Sequence, residues 1–309
     1  MIKLKVNVKK IVLYLVGICL ISYGIAMALS FRHGSLLKIA DKDYKVNERK
    51  EINTNGISKI YVDSSAADVY VSRGYKVNVT AEALGNVSST SSNIPKLDCY
   101  KDGDTLYINF KRKGPSIHIF DFTNKSDVKL NITIPEAYKS DMEVDSSAGD
   151  TSIKDLNLNK MYAKSSAGKM ELENLNISAE LTLKDSAGDI NGKSIVCKTS
   201  TIDASAGSIK LEEFSGDIQG KNSAGNTDIS YSKFNNNIDF KSSAGNIKLI
   251  IPKDSKFKLD AYASAGDVDC DFPLSSSGGG VEKEVKGSVG ESNNVIKLKN
   301  SAGNIDIDN

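Results

Sequence analysis

The triplet Ser-Ala-Gly recurs eight times in this 309-residue chain, with its glycine at Gly149, Gly168, Gly188, Gly207, Gly225, Gly245, Gly266 and Gly303. The steps between them are 19, 20, 19, 18, 20, 21 and 37 residues. A fixed period of about twenty marks a repeat architecture, in which each unit covers the apolar face of the next. The last step is about two of the others, and Ser275 to Gly280 interrupts the pattern before Val285 to Asp308 restores it.

Aligned on that glycine, the flanks alternate apolar and polar. Thr151, Met170, Ile190, Ile209, Thr227, Ile247, Val268 and Ile305 follow it by two, and pairs such as Met142/Val144, Leu181/Leu183, Ile238/Phe240 and Ile296/Leu298 precede it by seven and five. Both flanks read as half-buried strands. Upstream apolar residues fall at odd offsets and downstream ones at even offsets. An uninterrupted strand cannot keep both sets on one face, because a one-residue slip turns every side chain over. The triplet is therefore a corner that absorbs one residue, a task suited to glycine. A third apolar position lies seven after glycine, at Leu156, Leu175, Ile195 and Phe214. Each repeat then makes one coil of two or three short strands. Stacked coils pair in parallel around an aliphatic column, an all-β, single-stranded parallel β-helix of 19–20 residues per coil spanning 52–309. Ile60 to Val71 repeats the same pattern with Ala67 in the glycine place, and 75–135 keeps the alternation without the triplet. If coils stack in chain order, Ile305-Asp306-Ile307 lies at an open end, where Asp306 and Asp308 discourage pairing with another chain.

Before the repeats, Lys3, Lys5, Lys9 and Lys10 precede an uncharged run at 11–31 (IVLYLVGICLISYGIAMALSF). About twenty apolar residues span a bilayer as a helix, and the lysines place its N-terminal side in the cytoplasm. The reading is a cytoplasmic tail (1–10), a single transmembrane anchor (11–31), a spacer (32–51) and an extracellular repeat domain. The alternative is a signal peptide cleaved after Ala26-Met27-Ala28, which releases the domain.

Several patterns resemble chemistry. Asp150, Asp189 and Asp267 follow the glycine as calcium ligands do in some β-rolls, yet the same place holds Lys169, Ser208, Asn226, Asn246 and Asn304. A stack that accepts lysine is not a ladder of calcium ligands, and Asp and Asn read better as turn residues bonding nearby backbone. The serine pairs Ser146/Ser147, Ser165/Ser166 and Ser242/Ser243 lack a base: the chain has only His33 and His118. Cys19, Cys99, Cys197 and Cys270 are far apart, which argues against a zinc site, and Cys197 and Cys270 occupy inward positions. Lys111-Arg112-Lys113 reads as a solvated turn. A net charge of +1 gives no electrostatic case for nucleic acid. The expectation is no catalytic, cofactor or metal site, no cofactor, and no small-molecule substrate.

The phased Ser-Ala-Gly-Asp/Asn-Ile-x-Leu units, and the ending Lys286-Gly287-Ser288-Val289-Gly290, Ile296-Lys297-Leu298, Ser301 to Ile305, resemble the bacterial adhesin-type family of unknown function DUF4097. The resemblance covers about 52–308. It implies a right-handed β-helix, shaped like pectate-lyase solenoids without their active site, on proteins of the bacterial envelope. The function expected is a non-catalytic, adhesin-like binding or scaffold module whose partner is a cell-wall polymer or a membrane protein. A stress sensor acting through a membrane partner is the alternative, and a polysaccharide-active enzyme, for which no carboxylate cluster stands out, comes third.

Overall fold

The computed structural model describes residues 42–89, 92–112, 125–274 and 283–309; the expected anchor or signal peptide at 11–31 lies outside them, as do His33 and His118. Among the described residues there are twenty strands, no helix and none long and apolar enough to cross a membrane. All strands join one mixed sheet.

The repeats stack in register. Thr151–Ser165, Met170–Asp185, Ile190–Ala204 and Ile209–Asn222 pair in parallel, so that Met170 sits between Thr151 and Ile190, and Leu183 between Ala163 and Ile202. The predicted inward residues are buried. Met161, Ala163, Met170, Leu172, Leu175 and Ile177 of one coil are each at most 2% exposed. Their spacing reveals three corners per coil, and thus three sides. The first corner is Ser-Ala-Gly. The second sits at Asp155, Asn174, Ser194 and Glu213, four non-glycine residues with φ between 54° and 58°. Left-handed backbone costs a side chain roughly 1–3 kcal/mol, least for Asn and Asp. Stacked side chains hold this corner, with Asn174 Nδ2 donating to Asp155 Oδ1 at 2.6 Å and Ser194 Oγ donating to Glu213 Oε2 at 2.5 Å. The third is the register shift between Ile177 and Glu180.

Glycine at the first corner is required for two reasons. Gly245 has φ 119°, and a Cβ there would lie 2.2 Å from the carbonyl oxygen of Gly225 in the adjacent coil. The same carbonyl contact recurs all along the column, in the order Ala67, Gly149, Gly168, Gly188, Gly207, Gly225, Gly245, Gly303, Gly266. Ala67 is the informative exception. The coil beyond it has strands Thr105–Lys111 and Lys125–Pro135 on either side of the corner position, and the sequence between them holds no Ser-Ala-Gly triplet.

That column also shows that stack order is not chain order. Residues 296–300 pair with 238–242 on one side and with 259–263 on the other, and Ile305–Ile307 lies between Ile247–Leu249 and Val268–Cys270. The last strand is therefore interior, not at an open end, and Asp308 forms an ion pair with Lys248 at 2.8 Å. The 37-residue step does not hide an extra coil. It contains the strand Glu284–Val289, antiparallel on residues 257–262, before the chain inserts. The other end mirrors this. Residues 59–64 lie between 141–146 and 105–110, and antiparallel strands cover the outside: Lys96–Asp102 on residues 105–111, Val79–Ser89 on residues 125–133. The strand Lys42–Ile52 pairs with Val79–Ser89 and takes up residues read from sequence as spacer. The strand Val79–Ser89 runs through Gly85 without a break.

Packing along the column is complementary. A Cβ on Gly220 would lie 2.5 Å from the Phe240 ring. Where the third side gives way to loops, Phe214, Tyr231, Phe234, Phe257 and Phe272 fill the space as a zigzag of edge-on rings with centroids 5.1–6.2 Å apart.

Gly245→Val should cost ~3 kcal/mol or more, from left-handed strain plus collision with the Gly225 carbonyl. Ser243→Ala, at the exposed position of the same corner, should stay within about 0.5 kcal/mol. Urea unfolding of the two variants checks this, and equal midpoints would refute the corner assignment.

Candidate functional site

The side chains that tempted a chemical reading divide into a turn ladder, an inner column and an outer face. In the turn ladder each Asp or Asn accepts from the backbone of the adjacent coil. Asp68 Oδ1 accepts from the Asp150 N–H at 2.9 Å, Asp150 from Lys169 at 2.8 Å, and Asp189 from Ser208 at 2.8 Å. Asn226 Oδ1 accepts from Asn246 at 3.0 Å, Asn246 from Asn304 at 2.9 Å, and Asn304 from Asp267 at 3.2 Å. These carboxylates and amides are used by the fold, and no group of three or more metal-ligating side chains occurs among the described residues.

The inner column lies three residues before each glycine. Ser146, Ser165, Asp185, Asn222, Ser242 and Asn300 are all buried there, so the first serine of each pair faces the core, while Ser147 and Ser243 are exposed and Ser166 is half-buried. Asn222 Nδ2 donates to the carbonyls of Gly207 and Gly225 at 3.1 and 3.2 Å, tying its corner to the neighbouring one. Asp185 is the one acid of the column and has no such donor. Both its oxygens lack a hydrogen-bond partner, and so does Ser165 Oγ in the adjacent coil. Burial pushes the Asp185 carboxyl up to about 6, with the Ala187 backbone N–H opposing the shift and Asp189 reinforcing it. Cys197 is buried and Cys270 half-buried; desolvation pushes the Cys197 and Cys99 thiols up to about 12, where they are poor nucleophiles.

The outer face is the solvent side of the first strand of each coil. One row reads Tyr100, Tyr107, Tyr61, Glu143, Tyr162, Thr182, Thr201, Gln219, Asp239, Lys297, Asp260, each residue paired with the next through the ladder. Tyr100 stacks on Tyr107 with centroids 5.0 Å apart and an interplanar angle of 10°, and Tyr107 meets Tyr61 edge-on at 5.6 Å. Tyr100 is 46% exposed and sits on an outermost strand. Nearby charges are neutralised in pairs: Lys59–Glu143 and Lys111–Asp63 at 2.5 Å, Lys164–Asp145 at 3.5 Å. Lys184 Nζ lies 5.4 Å from the Tyr162 ring. Burial, then Asp63, Asp145 and Glu143, push the Tyr61 phenol up to about 12, so it remains a neutral hydrogen-bonding group. Below the tyrosines the face is troughed. A depression of about 250 Å³ beside Tyr162 meets, at Glu180, another of about 560 Å³ lined by Thr199, Thr201, Gln219, Asn237, Asp239 and Lys297.

The sequence places each of these residues outward by strand alternation. It does not place Tyr100, Tyr107 and Tyr61 together, because the three come from strands whose stack order differs from chain order.

Stacked coils, a glycine column and a long patterned face define an all-β repeat protein whose chemistry lies on its surface. The family model for Toastrack DUF4097 matches residues 57–308, and the chain belongs to that family. No curated protein matches it. It is similar to the crystal structure of a candidate adhesin from Bacteroides fragilis (14% identity, TM-score 0.47, covering 86% of this chain and 95% of that one). It is also similar to a candidate lipid binding protein from Parabacteroides distasonis (13% identity, TM-score 0.45, 84% and 96%). A third similar structure is a candidate cell adhesion protein from Clostridium sporogenes (12% identity, TM-score 0.32, 86% and 99%).

Asp185→Asn supplies the donor that Asn222 and Asn300 supply elsewhere. A carboxyl pushed up to about 6 costs the fold stability once it ionises. The cost is absent below the unfolded carboxyl value near pH 4 and complete above pH 6–7. The variant should therefore be more stable than wild type by ~1–3 kcal/mol at pH 8, and the gain should shrink toward pH 4. Denaturant melts across that range check the slope.

Proposed function

We propose that this protein is a non-catalytic, adhesin-like binding and scaffold module of the bacterial envelope. In this reading the coils form a right-handed β-solenoid held at the membrane by residues 11–31, with the outer face turned to a cell-wall polymer or a membrane protein. The run Tyr100–Tyr107–Tyr61 carries the reading. Tyrosines supply large contact area with little loss of side-chain freedom and a phenol for hydrogen bonding, which is why they dominate binding hot spots. Ion pairs on either side of the run cancel charge locally, so the face suits a partner recognised by ring contact and hydrogen bonds. Elsewhere on the row Thr182, Thr201 and Gln219 offer uncharged donors and acceptors at the strand spacing of about 4.8 Å.

The test is co-sedimentation of the full-length protein, in detergent micelles, with isolated cell-envelope material. Replacing Tyr61, Tyr100 and Tyr107 together by serine should lower retention at least about tenfold, with the far-ultraviolet circular dichroism of the wild type. Retention equal to wild type would remove the tyrosine face from the function.

A further inference from the structure

The last coils carry a second concavity, away from the tyrosine run. On the third side the strand is replaced by loops at 232–237, 252–256 and 290–294, and these line a half-open depression of about 480 Å³. The volume is that of a small-molecule pocket. Because the C-terminal segment inserts between two earlier coils, its loop at 290–294 enters between the other two. Asn294 joins all three: its Nδ2 donates to Asn235 Oδ1 at 3.1 Å and to the Lys256 carbonyl at 3.5 Å. Its N–H donates to Ser292 Oγ at 3.0 Å.

The lining has a definite chemistry. Ser255 forms part of the floor, and its hydroxyl is shut off from the cavity beneath the lining. Ser232, Asn235 and Ser292 supply the neutral hydrogen-bonding groups at the surface of the cavity. Lys233, Lys256, Asp254 and Glu291 line the same space, two charges of each sign, and none of the four makes an ion pair among the described residues. The charges cancel, which disfavours a polyanion or polycation. Carboxylates accept, ammonium groups donate, and serine and asparagine do both. The half-buried ring of Phe234 adds an apolar surface. A neutral ligand dense in groups that both donate and accept, with a C–H face for the ring, satisfies every part of that lining.

We propose that this three-loop pocket binds a residue of a neutral glycan. It is separate from the tyrosine face and does not depend on the function assigned to that face.

Surface plasmon resonance of the immobilised full-length protein tests this with chitotetraose, cellotetraose and mannotetraose, and with tetragalacturonate as the anionic comparator. At least one neutral tetrasaccharide should bind with little dependence on salt. Ser232→Ala and Asn235→Ala should each weaken that binding about tenfold. Ser232→Ala should keep the wild-type melting temperature, since Ser232 is exposed. The triple tyrosine-to-serine variant should bind the saccharide normally, so loss of envelope retention and loss of saccharide binding are read separately. Absence of binding to all three neutral saccharides, preference for tetragalacturonate, or unchanged affinity in both pocket variants would overturn the assignment.

Discussion

A backbone contact governs this structure: at each first corner the Cα of one glycine lies against the carbonyl of the glycine in the neighbouring coil. A side chain at that point would occupy the carbonyl's own space. Coils can therefore approach to strand spacing at the corner, and parallel pairing can run from one side into the next without a break. Because the corner consumes an odd number of residues, the apolar positions before and after it both turn inward. Where no triplet is stacked against the corner, at Ala67, the requirement lapses. The glycines mark contact between coils, and the bend alone does not demand them.

The two ends show how such a stack is closed. A repeat array is a sum of neighbour contacts, and its outermost units are its weak points. Here the first and last coils of the domain, 59–74 and 295–308, are each held between two others, and the outer positions are taken by chain that has looped out and come back. Antiparallel strands, Lys96–Asp102 at one end and Glu284–Val289 at the other, then cover part of the exposed edge. Peeling either of these two coils from the stack requires breaking pairings on two sides, and edge-to-edge association is curtailed.

Polar groups are distributed by the same geometry. Asp and Asn at the turn are consumed by ladder bonds between coils, and the inner column by corner carbonyls. Asp185 is the place where that economy fails, since a carboxylate can accept but not donate. The chemistry left for a partner lies on the outer face and in the three-loop pocket, which differ in kind. One is a long strip built on regular strands, the other a concavity where regular strands stop.

The triplet spacing and the parity of the flanking apolar residues determined the all-β character, the coil length, the inward residues and the glycine corner, because each follows from strand alternation and backbone sterics within about twenty residues. The second corner was hidden, since Asp155, Asn174, Ser194 and Glu213 share a backbone conformation and no residue type. The insertion of 295–308 between earlier coils was hidden as well. Repeat spacing is one-dimensional, and a 37-residue interval reads alike whether it holds an unmarked coil or an excursion. Only tertiary pairing decided which coils are neighbours, and with it the meeting of Tyr100, Tyr107 and Tyr61 and the meeting of the loops at 232–237, 252–256 and 290–294. Those sites join residues far apart in the chain, and their formation depends on hydrogen bonds between coils that no local pattern encodes.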